Sequence, residues 1–382
     1  MSVKGKAYIA GIYEHPLRKI NDKSVAQLHA ECAKGALEDA GLTIHDVDAY
    51  YCSGDAPGLG SLTMTDYMGL TVRHLDSTNT GGSSYVYQVG HAAAAIAEGK
   101  CKVALITCAG FGRRGTAVRD RGGPDVAFEN PYGPVTVNLY AMAAARHMHQ
   151  YGTTSEQLAW VKVSASHHAQ HNPNAFLKKV VTVEDVLNSP MIASPLHRMD
   201  CCVVTDSGGA VIIVAPEIAK SLKKPLVKLM GHGESPKGQM GGNVDLTYTG
   251  AVRSGPAAFA EAGVKPSDIK YASIYDSFTI TVVETIEDLG FCKKGEGGKF
   301  VSDGNLISGV GKLPFNTDGG GMCNNHPNNR GGITKIIEAV RQLRGEAHPK
   351  VQVKNCDIAL AHGTGGSLAT RHGSATMIME RE

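Results

Sequence analysis

The sequence lacks the features that would place it in several special classes of protein. Lys and Arg total 38 against 36 Asp and Glu, and no block of like charge could follow nucleic-acid phosphates. No apolar run approaches the roughly 20 residues that a membrane span needs. The N-terminus shows no signal-peptide core before the apolar stretch from Ala7 to Ile12. We therefore expect a cytoplasmic protein that binds no nucleic acid and has no membrane span.

The cysteines and clustered histidines do not indicate a metal site or a disulfide framework. Nine cysteines are an odd number, and no CxxC pair occurs, so we expect reduced thiols and no zinc site in this chain. Cys201 and Cys202 are adjacent and precede apolar residues, which favours packing in the core. His167, His168 and His171 lie among polar residues of a predicted helix, and we interpret them as surface histidines.

An internal repeat indicates two related halves. A chain of 382 residues is longer than a single core normally supports. Residues 36–50 and 258–272 share one pattern, in which a predicted helix stops at a glycine, a turn with an aspartate follows, and a strand begins. The glycines, Gly41 and Gly263, suit the left-handed conformation just past a helix end.

Apolar runs alternate with helical patterns along both halves. Residues 103–110 and 357–363 are similar runs that end in small residues, and residues 210–214 and 375–379 are further apolar runs. Between them, residues 85–96 carry apolar side chains at helical spacing. The sequence therefore predicts an α/β protein in which helices cover mixed sheets.

The boundary between the halves is predicted near residues 215–224, where a proline and a lysine-rich turn separate two apolar strands. This gives an N-terminal half of residues 1–220 and a C-terminal half of residues 221–382. Residues 111–195 break the rhythm with many Arg, Gly, Pro, His and Asn residues, around a predicted helix at 137–151. We interpret them as an insertion that caps the site.

Separated motifs resemble those of the thiolase superfamily, especially its sterol-carrier-protein and lipid-transfer-protein types. The motifs lie at residues 78–84, 275–278, 295–300, 314–327 and 342–345. The resemblance implies the thiolase fold, with two similar halves of mixed five-stranded sheets packed around buried helices. It also implies coenzyme A as part of a thioester substrate.

The motif that should carry the thiolase nucleophile is altered. Thiolases place a cysteine at the N-terminus of a buried helix, where free N–H groups stabilise a thiolate and an oxyanion. The matching position here is Gly82, which cannot be acylated. Its backbone N–H, together with that of Thr364, could still donate to an oxyanion.

The resemblance assigns catalytic roles to four other positions. His326 matches the histidine that donates to the thioester oxygen as an enolate forms. Tyr275 and Ser277 stand where the sterol-carrier type has His and Cys in a His-Asp-Cys-Phe motif, and His362 matches the cysteine of the last glycine-rich motif. Tyr275 could also be a packed aromatic residue, Ser277 a spectator and His362 a core histidine. Cys323 is an alternative nucleophile.

Basic residues of the predicted cap and a neighbouring loop could bind the phosphates of CoA. They are Arg113, Arg114, Arg119, Arg121 and Lys237. An ordinary solvated face would have the same composition.

The expected reaction passes through a thioester enolate, because Gly82, and not a cysteine, stands at the position that carries the acyl group in thiolases. One hypothesis is retro-aldol cleavage of a bulky β-hydroxyacyl-CoA, as in lipid-transfer-type steroid side-chain aldolases. Another is CoA-dependent cleavage of a β-ketoacyl-CoA, as in benzoylsuccinyl-CoA thiolase. A third is a non-catalytic acyl-CoA-binding scaffold. The resemblance also implies a homodimer core with a small partner subunit that carries a zinc ribbon and an OB-fold, so zinc is expected only there.

Overall fold

The computed structural model describes residues 2–114, 128, 130–133, 135–238, 244–327, 331–368 and 372–382. The strands are β1 (Tyr8–Glu14), β2 (Ala49–Tyr51), β3 (His74–Asp76), β4 (Val103–Phe111), β5 (Met191–Ala193), β6 (Leu196–His197), β7 (Asp206–Val214), β8 (Val227–Lys237), β9 (Tyr271–Ile274), β10 (Ile358–Gly366) and β11 (His372–Arg381). The α-helices in the described residues are α1 (Val25–Ala40), α2 (Ser61–Met68), α3 (Ser84–Ala97), α4 (Thr136–Tyr151), α5 (Ser155–Ala169), α6 (Val183–Leu187), α7 (Pro216–Ala219), α8 (Ala251–Ala262), α9 (Thr279–Asp288), α10 (Gly297–Val301) and α11 (Gly332–Arg344).

The main sheet joins the two halves. Its nine strands follow the order β3-β2-β4-β7-β1-β8-β11-β10-β9, with parallel and antiparallel pairs. Five strands come from the N-terminal half and four from the C-terminal half, so the second half has one strand fewer than expected. The halves meet where β1 pairs with β8, through Tyr8 opposite Lys228 and Ile9 opposite Val227.

Three apolar clusters arrange the helices in layers around this sheet. The central cluster contains α3, α11 and inward-facing residues of strands from both halves. A second cluster packs α1 against β1, β4 and β7, and a third packs α8 and α9 against β10 and β11. The predicted α/β architecture with buried central helices is confirmed.

The repeat has the predicted local structure in both halves. Helix α1 ends at Gly41 with φ 71°, and α8 ends at Gly263 with φ 74°. A short 3-10 turn follows each helix, and the carboxylates of Asp46 and Asp268 accept N–H groups at the start of these turns. The same backbone requirement therefore explains the same residues in each half.

Helix α5 of the cap segment is buried on nearly every side, which makes the interpretation of its histidines wrong in part. His168 is 1% exposed, and its Nε2 accepts the N–H of Ser308 at 2.9 Å. Burial lowers the pKa of His168 to about 4. His167 and His171 are partly exposed, so only these two lie near the surface as predicted.

In the described part of the chain, no helix combines the length and the apolar character that crossing a bilayer requires. Residues 215–226 connect β7 to β8 and include only the single turn of α7. We propose the boundary of the two halves in this connection.

Candidate functional site

Tyr275 and His326 form a buried hydrogen-bonded pair. The Tyr275 hydroxyl and His326 Nε2 are 2.8 Å apart, and both residues are 3% exposed. Burial lowers the pKa of His326 to about 4 and raises that of Tyr275 well above its usual value. Near neutral pH the pair therefore consists of a neutral imidazole and a neutral phenol, which can pass a proton between them.

The ring of Tyr275 occupies the space into which a side chain at position 82 would project. A Cβ added to Gly82 would overlap this ring and would lie 2.5 Å from the carbonyl oxygen of Thr364. Gly82 lies in a 3-10 turn that leads directly into the buried helix α3. The glycine and the tyrosine are thus two parts of one arrangement, because any side chain at position 82 would displace the phenol.

Asp276 holds the loop that carries the histidine. Its Oδ1 accepts the N–H of Gly321 at 2.8 Å, and its Oδ2 accepts the N–H of Met322 at 3.0 Å. The buried ammonium of Lys335 lies 3.1 Å from Oδ1 and balances the charge. The residue next to Tyr275 in the chain therefore fixes the turn at 320–324, just before His326.

A second network fixes His326 from the N-terminal half. The N–H of His326 donates to Thr205 Oγ1 at 2.9 Å, and Thr205 Oγ1 donates to Asn325 Oδ1 at 2.8 Å. Asn325 Nδ2 in turn donates to buried Glu14 at 2.9 Å, and Arg18 pairs with the same carboxylate at 2.7 Å. Because each polar group has a partner, the position of the imidazole is strongly determined.

His362 lies on the other face of the sheet, away from this pair. In β10 its neighbours Ala359 and Ala361 face the central cluster, whereas Leu360 faces the outer cluster. Alternation along the strand puts His362 on the outer face with Leu360, and its Nδ1 bonds Thr376 Oγ1 at 2.8 Å. The link to the pair is through the backbone, where Tyr275 N–H donates to the His362 carbonyl at 2.9 Å. Its predicted direct catalytic role is therefore not supported by this geometry.

Two further residues lie near Tyr275. The sequence analysis did not identify Tyr140, and it interpreted Cys202 as a core residue. The hydroxyl of Tyr140 in α4 donates to the Gly366 carbonyl at 3.3 Å, and the Tyr140 ring stacks on Phe278 with ring centroids 4.3 Å apart. Cys202 is only partly buried and neighbours both Tyr275 and Tyr140, so its interpretation as core packing was incomplete. Burial raises the pKa of the Cys202 thiol, which disfavours the reactive thiolate.

The alternative nucleophile and one predicted CoA ligand have other partners. Cys323 packs with alanines of α5 and with Met322, and burial raises its thiol pKa. The Lys237 ammonium donates to the backbone carbonyls of Asp245 and Tyr248 and lies over the Tyr248 ring. These contacts explain both residues without a nucleophile or a phosphate.

The two described cap arginines are exposed. Arg114 lies 3.7 Å above the ring of Phe111, and Arg113 lies 5.7 Å from the ring of Phe176. Arg119 and Arg121 lie outside the described residues. CoA binding by these arginines stays a prediction, as does oxyanion binding by Gly82 and Thr364.

The arrangement suits proton transfer and enolate chemistry. It provides a phenol and an imidazole in direct contact and a close glycine backbone, with no thiol at the start of α3. A carbonyl group placed between them could gain or lose a proton at its α-carbon without a covalent intermediate.

Comparisons with known proteins identify the family. The family model "Thiolase C-terminal domain-like" matches residues 234–381. An "Acetyl-CoA acetyltransferase" of Methanothermobacter thermautotrophicus is 33% identical over 379 residues, which cover 95% of this chain and 97% of the relative. A "Steroid side-chain-cleaving aldolase" of Thermomonospora curvata is 34% identical over 361 residues, which cover 89% of this chain and 91% of the relative.

A solved structure of the "Ltp2-ChsH2(DUF35) aldolase" is also similar. Its TM-score is 0.90 at 31% identity, and the match covers 99% of this chain and 98% of the other. The similarity extends over most of the chain, and the chain belongs to the thiolase family.

Proposed function

We propose that the protein is an acyl-CoA lyase that cleaves a bulky β-hydroxyacyl-CoA by a retro-aldol reaction. The observation that carries this proposal is the Tyr275–His326 hydrogen bond of 2.8 Å, formed where a nucleophilic cysteine would otherwise project. An enzyme with this arrangement has a proton-transfer pair but no residue at that place to accept an acyl group.

In the proposed reaction Tyr275 accepts the proton of the substrate β-hydroxyl as its own proton passes to His326 Nε2. The electrons of the breaking carbon–carbon bond form the thioester enolate, and an aldehyde or a ketone leaves. The backbone N–H of Gly82 donates to the enolate oxygen. The same pair then returns the proton to the α-carbon, so the reaction neither consumes nor releases protons and yields a shorter acyl-CoA.

Burial of the pair gives this cycle a physical basis. Neither a tyrosinate nor an imidazolium is stable there before the substrate binds, because burial disfavours both charged forms. The charge therefore develops only when the hydroxyl proton moves and the enolate forms. The nearby carboxylate of Asp276 favours the transient imidazolium.

We also propose that the chain works with a small partner subunit that carries zinc. Support comes from the similar aldolase structure, whose name includes a second, DUF35 component. The predicted homodimer core belongs to the same proposal.

A second candidate function is CoA-dependent cleavage of a β-ketoacyl-CoA. It is favoured by the similarity to an acetyltransferase over nearly the whole chain. In this reaction the thiolate of free CoA would attack the keto carbon directly, and the same pair would protonate the departing enolate.

The two functions differ in their need for CoA. The complex with the partner subunit should be incubated with matched β-hydroxyacyl-CoA and β-ketoacyl-CoA esters, with and without free CoA, and the products followed by mass spectrometry. Release of a carbonyl product from the hydroxy ester without CoA supports the lyase. Cleavage of only the keto ester, and only with CoA, supports the thiolase, and ester binding without either reaction supports the scaffold.

A further inference from the structure

A buried polar stripe begins at Ser277 in the Tyr275 motif and continues along one face of α9. Its members within the helix are Thr281, Glu284 and Asp288, spaced three and four residues apart, which puts them on the same side of the helix. Ser277 precedes the helix and joins the stripe through its contact with the Thr281 hydroxyl. None is more than 8% exposed. A stripe of this kind is costly in the interior of a protein unless each group has a partner.

Both ends of the stripe have partners. At the inner end the hydroxyls of Ser277 and Thr281 are 3.1 Å apart. At the outer end Asp288 pairs with Lys294 at 2.6 Å, and the Lys294 side chain is 34% exposed. The stripe therefore leads from Ser277, two residues after Tyr275, to a partly exposed lysine.

The middle of the stripe is different. Glu284 is fully buried, and neither of its carboxyl oxygens has a hydrogen-bond partner among the described residues. Burial and the neighbouring Asp288 raise its pKa well above the usual value, which favours the protonated carboxyl group. Its charge, when present, would act on Tyr140 at one side and on Lys237 at the other.

Strands β10 and β11 carry further buried polar atoms on this side of the sheet that lack a hydrogen-bond partner among the described residues. These atoms are Nε2 of His362, Oγ1 of Thr364 and Nδ1 of His372. The ladder brings the strand segments that carry them together, because Thr364 lies opposite Ser374 and His372 bonds the Ser374 hydroxyl at 3.1 Å. Several such groups near one another are typical of a site that binds ordered water.

We propose that Glu284 is the proton-holding group of a buried relay along α9, which exchanges protons between the Tyr275–His326 pair and solvent near Lys294. Glu284 releases one proton towards Thr281 and Ser277 and takes one from the Lys294 side, with water completing the path. Each hydroxyl gives up its own proton as it accepts another, so no group changes its charge over a full cycle. The inference rests on the enolate chemistry of the proposed function.

The relay is tested by hydrogen exchange at the α-carbon of a product thioester. The complex with the partner subunit is incubated in D2O with acetyl-CoA or propionyl-CoA, and deuterium incorporation is followed by mass spectrometry. We expect exchange in the unaltered protein. In Glu284→Gln the exchange rate should fall roughly tenfold or more, as expected for loss of a proton-transfer group, with no change in thioester affinity.

A second variant separates the relay from a structural role. Glu284→Leu should lose exchange equally yet raise the melting temperature, because it removes a buried polar group without a partner. Thr285→Val is the matched control, since Thr285 is the next residue of the helix and its buried hydroxyl also lacks a partner. It should leave the exchange rate unchanged.

Exchange at the unaltered rate in both Glu284 variants would overturn the relay, as would no exchange in the unaltered protein. Normal exchange without cleavage of any β-hydroxyacyl-CoA would instead overturn the proposed lyase function and leave the relay standing.

Discussion

The two proposed halves, residues 1–220 and 221–382, contribute to the site in different ways. The N-terminal half provides backbone at the start of α3, where Gly82 has no side chain, and it holds the site from behind through Glu14 and Thr205. The C-terminal half provides the reactive side chains, Tyr275 and His326. Segments with the same local repeat, a helix that stops at a glycine before a turn and a strand, therefore do not have the same chemistry.

The difference teaches that the residue at position 82 and the residue at position 275 depend on each other. The Tyr275 ring fits because position 82 has no Cβ, and a side chain at position 82 is excluded because the ring is there. The predictions below test this dependence from the largest expected effect to the smallest.

Removing the Tyr275 hydroxyl should have the largest effect. In Tyr275→Phe the ring still fills its space but cannot transfer a proton, so we expect kcat for hydroxyacyl-CoA cleavage to fall roughly 10²- to 10⁴-fold with KM little changed. Steady-state kinetics measures both. Tyr51→Phe is the control, because the buried Tyr51 hydroxyl has no hydrogen-bond partner among the described residues. A Tyr275→Phe protein with nearly full activity would remove the tyrosine from the mechanism.

Adding a methyl group at Gly82, in the N-terminal half, should displace the Tyr275 ring in the C-terminal half. In Gly82→Ala the new methyl group would displace the Tyr275 ring, so we expect a loss of about 1–3 kcal/mol in unfolding free energy and a strongly reduced kcat. Denaturant unfolding and kinetics measure the two effects. Gly238→Ala should change neither, since its added Cβ would meet no atom within 4 Å. A fully active Gly82→Ala protein would show that the ring and the glycine are independent.

Acid should destabilise the protein over a defined range. Burial lowers the pKa of His168 and His326 to about 4 and of His362 and His372 to about 3, from an ordinary value of 6.5. The unfolded chain binds these protons first as the pH falls, so stability is complete above pH 6.5 and declines towards pH 4. Each histidine lowers the free energy of unfolding by at most about 1.4 kcal/mol for each pH unit of this decline.

Melting temperatures measured between pH 8 and 4 test this effect, and His362→Asn should reduce the slope. A flat profile would contradict the neutral, buried state of these histidines.

The smallest expected effect concerns the exposed cap arginines. If they contact CoA phosphates, Arg114→Gln should raise the KM for the thioester roughly two- to fivefold at low salt and less at high salt, with kcat unchanged. Arg73→Gln is the control, because Arg73 is equally exposed but pairs with Asp48 near the β2–β3 edge of the sheet. An unchanged KM in Arg114→Gln would favour an ordinary solvated face.

The sequence predicted the features that depend on local rules. The two helix stops at glycine are confirmed, and the cap helix predicted at 137–151 is Thr136–Tyr151 in the structure. The alternation of side chains along β10 also predicts that His362 lies on the outer face, because it is two residues after Leu360, which faces that side.

Other features depend on contacts between distant segments. Tyr140 stacks on Phe278 across more than a hundred residues, and no local pattern marks that contact. His168 resembled a surface residue because α5 has little amphipathic pattern, which is typical of a helix buried on most sides. The overlap of Gly82 with the Tyr275 ring likewise required coordinates.

The most direct test of the account is a single turnover in which excess enzyme complex meets a bulky β-hydroxyacyl-CoA in buffer free of CoA. After quenching, the masses of the small molecules and of the intact protein are measured by mass spectrometry. The account predicts an aldehyde or a ketone, a shortened acyl-CoA and an unmodified chain. A chain carrying an acyl group, or no cleavage until CoA is added, would contradict it.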